Sequence, residues 1–554
     1  MYTMHKNNAT DSTGLQYPLY DGRWEHDACG TGFLAQVSGQ PSHFIVQTAL
    51  DALARLTHRG AQDADAETSD GAGILTQIPK TLLCEELALQ HISISDPADL
   101  AVGMLFLPSQ ERSLASHTTA RQLIEQSLAE AGLSLLTWRN PPVDYTVLGS
   151  KARLIAPDIA QVLLARPATL SPEEFERSLY YARRLCELRL REAHIEGCYI
   201  VSLSSSTLIY KGLLAPNELA RFYLDLADPR YTSAIAVFHQ RYSTNTFPAW
   251  PLAQPMRLLA HNGEINTIQG NQNWMQAREQ SLSSPLWGEK IETLLPVLTP
   301  EASDSARLDM ALELLAVSGR DLLHSMQMMI PPAWEQDAAV TEAERAWCEY
   351  HAGILEPWDG PAALVFTDGR TVGAALDRNG LRPARYTLTR DGLLMVASET
   401  GVLRCDPHDI VELGRLGPGE MIAVDVERNV ILRDQEIKSA LASRQPYQEW
   451  VGQHMSYLSK LAENAEPVHT LLDAESLFAR QQLFGYTHED VEMVLRPILA
   501  EHKEPTWSMG DDAPIAPLSQ QKRSFSDYFR QRFAQVTNPP IDPLREKVVM
   551  SLDY

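Results

Sequence analysis

Cysteine is scarce. Six are spread over 554 residues, at Cys29, Cys84, Cys186, Cys198, Cys348 and Cys405. No two stand in a CxxC spacing, which excludes zinc-ribbon and thioredoxin-like readings. So sparse a set fits free thiols in a reducing cytoplasm. Basic residues are also short: 47 Lys and Arg against 71 Asp and Glu give a formal net charge of -24. That balance disfavours nucleic acid or an anionic membrane surface as a partner. No run of 18 apolar residues occurs, so no transmembrane helix is expected. Residues 1–28 are polar and lack an apolar core, so they do not read as a secretory signal. The 16 histidines include no HExxH or other ligand spacing, and no metal is expected. Internal repeats and low-complexity tracts are absent too. What remains is 44% hydrophobic and 21% charged, an ordinary globular composition in a length that suggests two to four domains.

The stretch His26-Asp27-Ala28-Cys29-Gly30-Thr31-Gly32-Phe33-Leu34-Ala35 places one thiol between small residues at the head of an apolar strand. Glycines beside a thiol let another group approach closely, which suits a nucleophile. A buried, inert cysteine is the competing reading. Two downstream motifs weigh against it: Phe238-His239-Gln240-Arg241-Tyr242-Ser243-Thr244-Asn245-Thr246 and His261-Asn262-Gly263-Glu264-Ile265-Asn266-Thr267. With Cys29 they resemble, in the same order, the glutamine amidotransferase domain of glutamate synthase large subunits, an N-terminal-nucleophile (Ntn) hydrolase. The resemblance runs from about Tyr20 to the last residue.

The elements read in order as follows. A helical stripe, Ile45, Ala49, Leu50, Leu53 and Leu56, has Ser42 as its N-cap and Gly60 as its stop. Strands are predicted at Ile74–Ile78, Ala101–Leu107, Ile159–Leu164, Tyr199–Tyr210 and Ala234–His239. Helices are predicted at Ser113–Ala131, Pro172–Ala193, Thr267–Gln280, Ser305–Val317, Arg320–Met329 and Thr341–His351. From Ala362 to Arg433 the Asp-Gly pairs Asp368-Gly369 and Asp391-Gly392 signal hairpins. Helices mixed with antiparallel hairpins argue α+β rather than a doubly wound parallel sheet. The resemblance sharpens this to the Ntn four-layer αββα sandwich, followed by a helical linker and the truncated start of an α/β central domain. The expected division is 1–28 leader, 29–434 amidotransferase domain, 435–478 linker and 479–554 incomplete central domain. A helix opening at Gly485–Val491 should end near Leu495, before Pro497. Too few residues follow Glu504 to complete a domain, so a piece of a longer polypeptide is expected.

A cysteine made N-terminal by loss of residues 1–28 can be activated by its own α-amino group, whose unperturbed pKa is about 7.7–8.0. No histidine or aspartate partner is then needed. Attack on a carboxamide makes an oxyanion, and Asn262 and Gly263 are adjacent donors at the end of the apolar strand Leu258-Leu259-Ala260; a plain Asn-Gly turn is the alternative. The planar fork of Arg241 suits an α-carboxylate, or else it is a surface arginine. Asp304 suits an α-ammonium, or else it caps a helix. The resemblance implies the oxyanion role for Asn262 and Gly263 and the substrate roles for Arg241 and Asp304, with Tyr242 and Thr244 shaping the pocket. His58-Arg59-Gly60 and Asp70-Gly71-Ala72-Gly73 read as support for the nucleophile loop, and Asp377–Pro383 as a turn near the glutamine site.

The resemblance further implies that Cys29 hydrolyses L-glutamine to glutamate and ammonia, which passes to 2-oxoglutarate in a full-length enzyme. FMN and a 3Fe-4S cluster belong to the later part of such an enzyme, and no cofactor is expected in this segment. A small flavoprotein subunit with NADPH is a further expected partner. Two other readings stay open: another class II amidotransferase, and a catalytically silent truncated chain acting as a binding module.

Overall fold

The computed structural model describes residues 29–60, 68–240, 249–299, 302–457 and 473–503, with 505, 518–520, 541–543 and 546. The expected leader lies outside the described residues. The strands, in chain order, begin with β1 (Gly30–Gln36), β2 (Ala72–Gln77), β3 (Leu100–Leu107), β4 (Ser134–Arg139) and β5 (Asp158–Ala165). Next come β6 (Tyr199–Ser204), β7 (Thr207–Gly212), β8 (Ile235–Gln240), β9 (Leu259–Gly263), β10 (Ala362–Thr367) and β11 (Thr371–Leu376). The last are β12 (Arg385–Thr389), β13 (Leu393–Ala397), β14 (Ile410–Arg415), β15 (Met421–Asp425) and β16 (Val430–Leu432). They form three sheets, ordered β14-β12-β13-β1-β8-β2-β7, β16-β15-β11-β10-β9 and β4-β5-β3-β6. Every described pairing of these strands is antiparallel. The chain is therefore α+β, with mixed helices and antiparallel sheets.

Side-chain alternation explains how the first two sheets pack. In the five-stranded sheet Ala260, Ala363, Val365, Val372, Ala374, Ile422 and Val424 share one core with the seven-stranded sheet. Their neighbours Leu259, Ala362, Leu364, Phe366, Ala375, Met421 and Ala423 pack instead with Leu308, Leu312, Met326, Met329 and Trp347 of the helices Asp304–Val317, Leu322–Met329 and Glu342–Ala352. The helix His43–Arg55 buries Ile45, Val46, Ala49, Leu50 and Leu53 in the core of the seven-stranded sheet. Ser42 stands at its N-cap position, but its side chain makes no cap bond. The backbone of Ser42 is bridged to Ser233 instead.

The third sheet is an insertion with the order of a split βαβ unit: β3, helix Gln110–Glu130, β4, β5, helix Pro172–Glu192, β6. The second helix starts cleanly, with Pro172 at its first turn and a Ser171–Glu174 capping box.

Two expectations differ and one is refined. Tyr199–Tyr210 is two strands in different sheets, not one. Ser204 Oγ accepts Ser206 N at 3.0 Å and Thr207 N at 3.2 Å, so a serine turn competes with the ladder there. The stretch expected as a linker from residue 435 is helical but buries part of its apolar side chains. Helices Asp434–Ala442 and Tyr447–His454 bury Ile437, Leu441, Ala442 and Tyr447 in the outer helical core, and the first compact unit comprises Met1–Gln453 with Pro540–Tyr554. In the second unit, His454–Pro539, the helix expected to stop at Leu495 continues. A π-helical stretch Asp490–Leu495 runs into Arg496–Glu501 with Pro497 in its first turn. The missing proline N–H falls where the hydrogen-bond spacing is already changing.

Candidate active site

Cys29 stands immediately before β1 and is partly exposed. Its carbonyl accepts Arg59 Nε at 3.1 Å, and Arg59 Nη1 pairs with Glu399 at 2.7 Å. His58 Nε2 lies 3.0 Å from the same carboxylate. The His58-Arg59-Gly60 segment thus clamps the backbone of the thiol-bearing residue. Glycine is required at position 32, where the obstacle is backbone, whereas at Gly60 only the Gln240 side chain stands in the way. A Cβ on Gly32 would come within 2.5 Å of Val396 O, and one on Gly60 within 1.9 Å of Gln240 Nε2. In β1, Gly30 is paired with Gln240 and Thr31 with His239 of β8.

Asn262 and Gly263 end β9, an edge strand bonded only to β10 among the described residues. They are no hairpin turn. Thr367 N donates to Leu258 O at 2.7 Å and Glu264 N to Pro361 O at 3.2 Å. By the alternation of an antiparallel ladder, the N–H groups of Leu259, His261 and Gly263 then turn away from β10. Leu259 N accordingly donates to Asp309 Oδ1 at 3.2 Å and His261 N to Gln254 Oε1 at 2.8 Å. Gly263 N–H is the third of this series. The residue must be glycine: its φ is +136°, and a Cβ would lie 1.8 Å from Pro361 O. Asn262 is 2% exposed, and its Nδ2 has no hydrogen-bond partner. A buried amide donor left unpaired costs stability, so its retention points to a ligand atom.

The two strand ends are tied together across the sheets. His239 Nε2 donates to His261 O at 3.0 Å. Burial pushes His239 down to about 3 and lowers His261 as well, so both imidazoles are neutral. Asp304 is not the helix cap. Ser303 caps, its Oγ accepting Ala306 N at 3.2 Å. The Asp304 carboxylate is left to accept Ile265 N at 3.1 Å and Ser305 N at 2.7 Å, two residues beyond Gly263. The structure thus brings Asp304 to the end of β9.

Arg241, Tyr242 and Thr244 lie outside the described residues; Arg241 follows Gln240, the last residue of β8. Gly71, with φ +121°, turns the chain into β2 beside β8. The Asp377 segment is anchored at its first residue, while Asn379, Leu381 and Pro383 are exposed. Asp377 is 1% exposed and accepts Ala362 N at 3.1 Å and Asn379 N at 2.9 Å, next to the end of β9. Sequence reading missed Gln254, Ser305 and His239, which hold the site from behind. Among the described residues no group of His, Cys, Asp or Glu is placed to hold a metal ion.

Comparison with known proteins gives a consistent result. A family model described as glutamine amidotransferases class-II matches residues 29–450, and one described as the glutamate synthase central domain matches residues 479–554. Ferredoxin-dependent glutamate synthase 2 of Synechocystis sp. is 45% identical over 552 residues, covering 98% of this chain and 35% of that protein. The NADPH glutamate synthase large chain of Azospirillum brasilense is 44% identical over 96% of this chain and 35% of its own. Its Bacillus subtilis counterpart is 42% identical over 96% and 34%. The chain therefore spans about a third of the length of the curated relatives it matches.

Proposed function

Since the chain belongs to the class-II glutamine amidotransferases, we propose that it performs the glutaminase half-reaction of a glutamate synthase. The observation that carries this reading is the buried, unpartnered Asn262 Nδ2 beside the outward-turned Gly263 N–H. Two adjacent donors at a strand end suit an oxyanion. Removal of residues 1–28 makes Cys29 N-terminal; the family match beginning at residue 29 supports this. The free α-amine then takes the thiol proton as Sγ attacks the glutamine carboxamide carbon. The oxyanion forms against Asn262 and Gly263, and its collapse expels ammonia, which takes up that proton. Water then hydrolyses the glutamyl thioester to glutamate, regenerating the thiol. Arg241 holds the substrate carboxylate and Asp304 its ammonium, with Tyr242 and Thr244 shaping the pocket.

The packing of helix, two sheets and outer helices supports the four-layer αββα sandwich expected of an Ntn hydrolase. Residues 479–554 are the start of the central domain in this reading, which the match to that domain supports. It also favours glutamate synthase over another class II amidotransferase. In the longer protein ammonia goes to 2-oxoglutarate, and a small flavoprotein subunit with NADPH is a candidate partner; Azospirillum and Bacillus relatives are named as NADPH enzymes. FMN and an iron-sulfur cluster belong to regions beyond this chain. The described cysteines offer no cluster-binding group, so no step here runs through either. A cytoplasmic location fits the free thiols, and no described helix is long and apolar enough to cross a membrane.

The test is ammonia release from L-glutamine by the mature chain, with Cys29→Ala as control. Release by the wild type and none by the variant is expected; equal release by both overturns the assignment of the nucleophile.

A further inference from the structure

We infer that Ser305 is a positioning residue that, with Gln254, fixes the oxyanion strand against the start of the helix Asp304–Val317. The inference rests on the roles proposed above for Cys29, Asn262 and Gly263. Ser305 is 1% exposed and Gln254 2%. The Ser305 hydroxyl lies 2.9 Å from His261 Nδ1 and accepts Gln254 Nε2 at 3.3 Å. The other end of the same carboxamide, Gln254 Oε1, accepts His261 N at 2.8 Å. His261 is thus gripped at its N–H by Gln254, at Nδ1 by Ser305 and at its carbonyl by His239. Asn262 and Gly263 follow it directly.

The consequence is a closed ring. From Asp304 the backbone leads to Ser305, and the Ser305 side chain bonds His261. The chain then runs from His261 to Ile265, whose N–H returns to Asp304 Oδ2 at 3.1 Å. The carboxylate proposed to hold the substrate ammonium and the donors proposed to receive its oxyanion are therefore parts of one ring. Asp309, further along the same helix, holds the start of the strand through Leu258 N and Leu259 N at 2.8 and 3.2 Å; the ring keeps the far end, with Asn262 and Gly263, from shearing against the helix. Such shear matters because a misplacement of about 1 Å costs roughly a hundredfold in rate. Removing the Ser305 hydroxyl opens the ring on the oxyanion side. Asp304 loses the 3.3 Å bond from the Ser305 hydroxyl but keeps those from Ser305 N and Ile265 N, so substrate capture is spared more than turnover.

The experiment uses the full 554-residue chain with its N-terminus established by intact mass. Ammonia release is followed against glutamine concentration for wild type, Ser305→Ala, Gln254→Met and the double variant, each normalised to mature, folded protein. Each single variant should lose about tenfold in kcat with KM changed by less than about threefold. The double variant should lose less than the product of the two single losses, because Gln254 and Ser305 hold the same residue, His261, and each other. A merely structural role would lower the melting temperature and the active fraction while leaving kcat per mature site intact. Unchanged kcat in both single variants beside an active wild type overturns this inference alone, as do losses that multiply in the double. A mature wild type that releases no ammonia overturns the functional reading and this inference with it.

Discussion

His239 Nε2 donates to the carbonyl oxygen of His261 at 3.0 Å, joining the seven-stranded sheet to the edge strand of the five-stranded sheet. Because a carbonyl can only accept, the proton sits on Nε2, and Nδ1 is left as a buried nitrogen without a partner. His239 is opposite Thr31, two residues from the thiol, and His261 is next to Asn262. This hydrogen bond therefore ties the neighbour of the Cys29 strand to the strand that ends in Asn262 and Gly263.

The burial of His239 carries a pH dependence. His239 is fully buried, and burial lowers its folded pKa from 6.5 to about 3. Below pH 6.5 the unfolded chain binds a proton that the folded chain refuses, so stability is complete above 6.5 and falls as pH drops toward 3. Between about pH 5 and 4 the slope attributable to His239 is about 1.4 kcal/mol per pH unit. His239→Gln keeps an N–H donor for His261 O and cannot titrate. Urea unfolding across pH 4–7 should show a shallower loss of stability in the variant.

Gly263→Ala should be severe. The backbone stands at φ +136° and the new methyl would overlap Pro361 O. Strain and backbone displacement together should cost about 2–3 kcal/mol or more, read as a lower denaturant midpoint. Glutamine turnover should fall with it.

Asn262→Ala removes one oxyanion donor while relieving a buried, unpaired amide. Turnover should fall about 10²–10³-fold with little change in KM. Stability should hold or rise slightly, since an unmade hydrogen bond is being deleted. Steady-state kinetics and a melting curve on the same preparation check both halves.

Arg59→Lys keeps a positive charge beside Glu399 but loses the fork that serves Cys29 O and Glu399 together. The nucleophile loop should loosen, with kcat reduced about tenfold and the unfolding midpoint nearly unchanged. Alkylation of Cys29, followed by mass spectrometry, should slow or lose its uniform rate.

The sequence was most informative where chemistry is contiguous along the chain. Cys29 between small residues, and Asn262 beside Gly263, could be read because neighbouring residues share one strand end. Hairpins β10–β11 and β12–β13 were legible from Asp-Gly pairs, a local signal. The supports behind the site were not. Ser305 meets His261 across 44 residues and His239 meets it across 22, contacts that no local periodicity records. Asp304 could be read as a cap because Ser, Asp and Ser stand in a row, and only the backbone decides which one caps. The Ser204-Ser205-Ser206 run did carry a turn signal inside Tyr199–Tyr210, but the flanking apolar residues outweighed it. Burial within the expected linker was not legible for a related reason: Ile437, Leu441 and Tyr447 are few among polar neighbours, yet all are buried.

The central claim is that Cys29 acts with its own α-amine, and the most direct measurement combines N-terminal sequencing and intact mass with glutamine-dependent ammonia release. The account predicts a mature chain beginning at Cys29 that releases ammonia, and loss of release when Cys29 is replaced by alanine. A chain that keeps residues 1–28 and turns over glutamine at the same rate would contradict it, because that amine would then be tied up in a peptide bond.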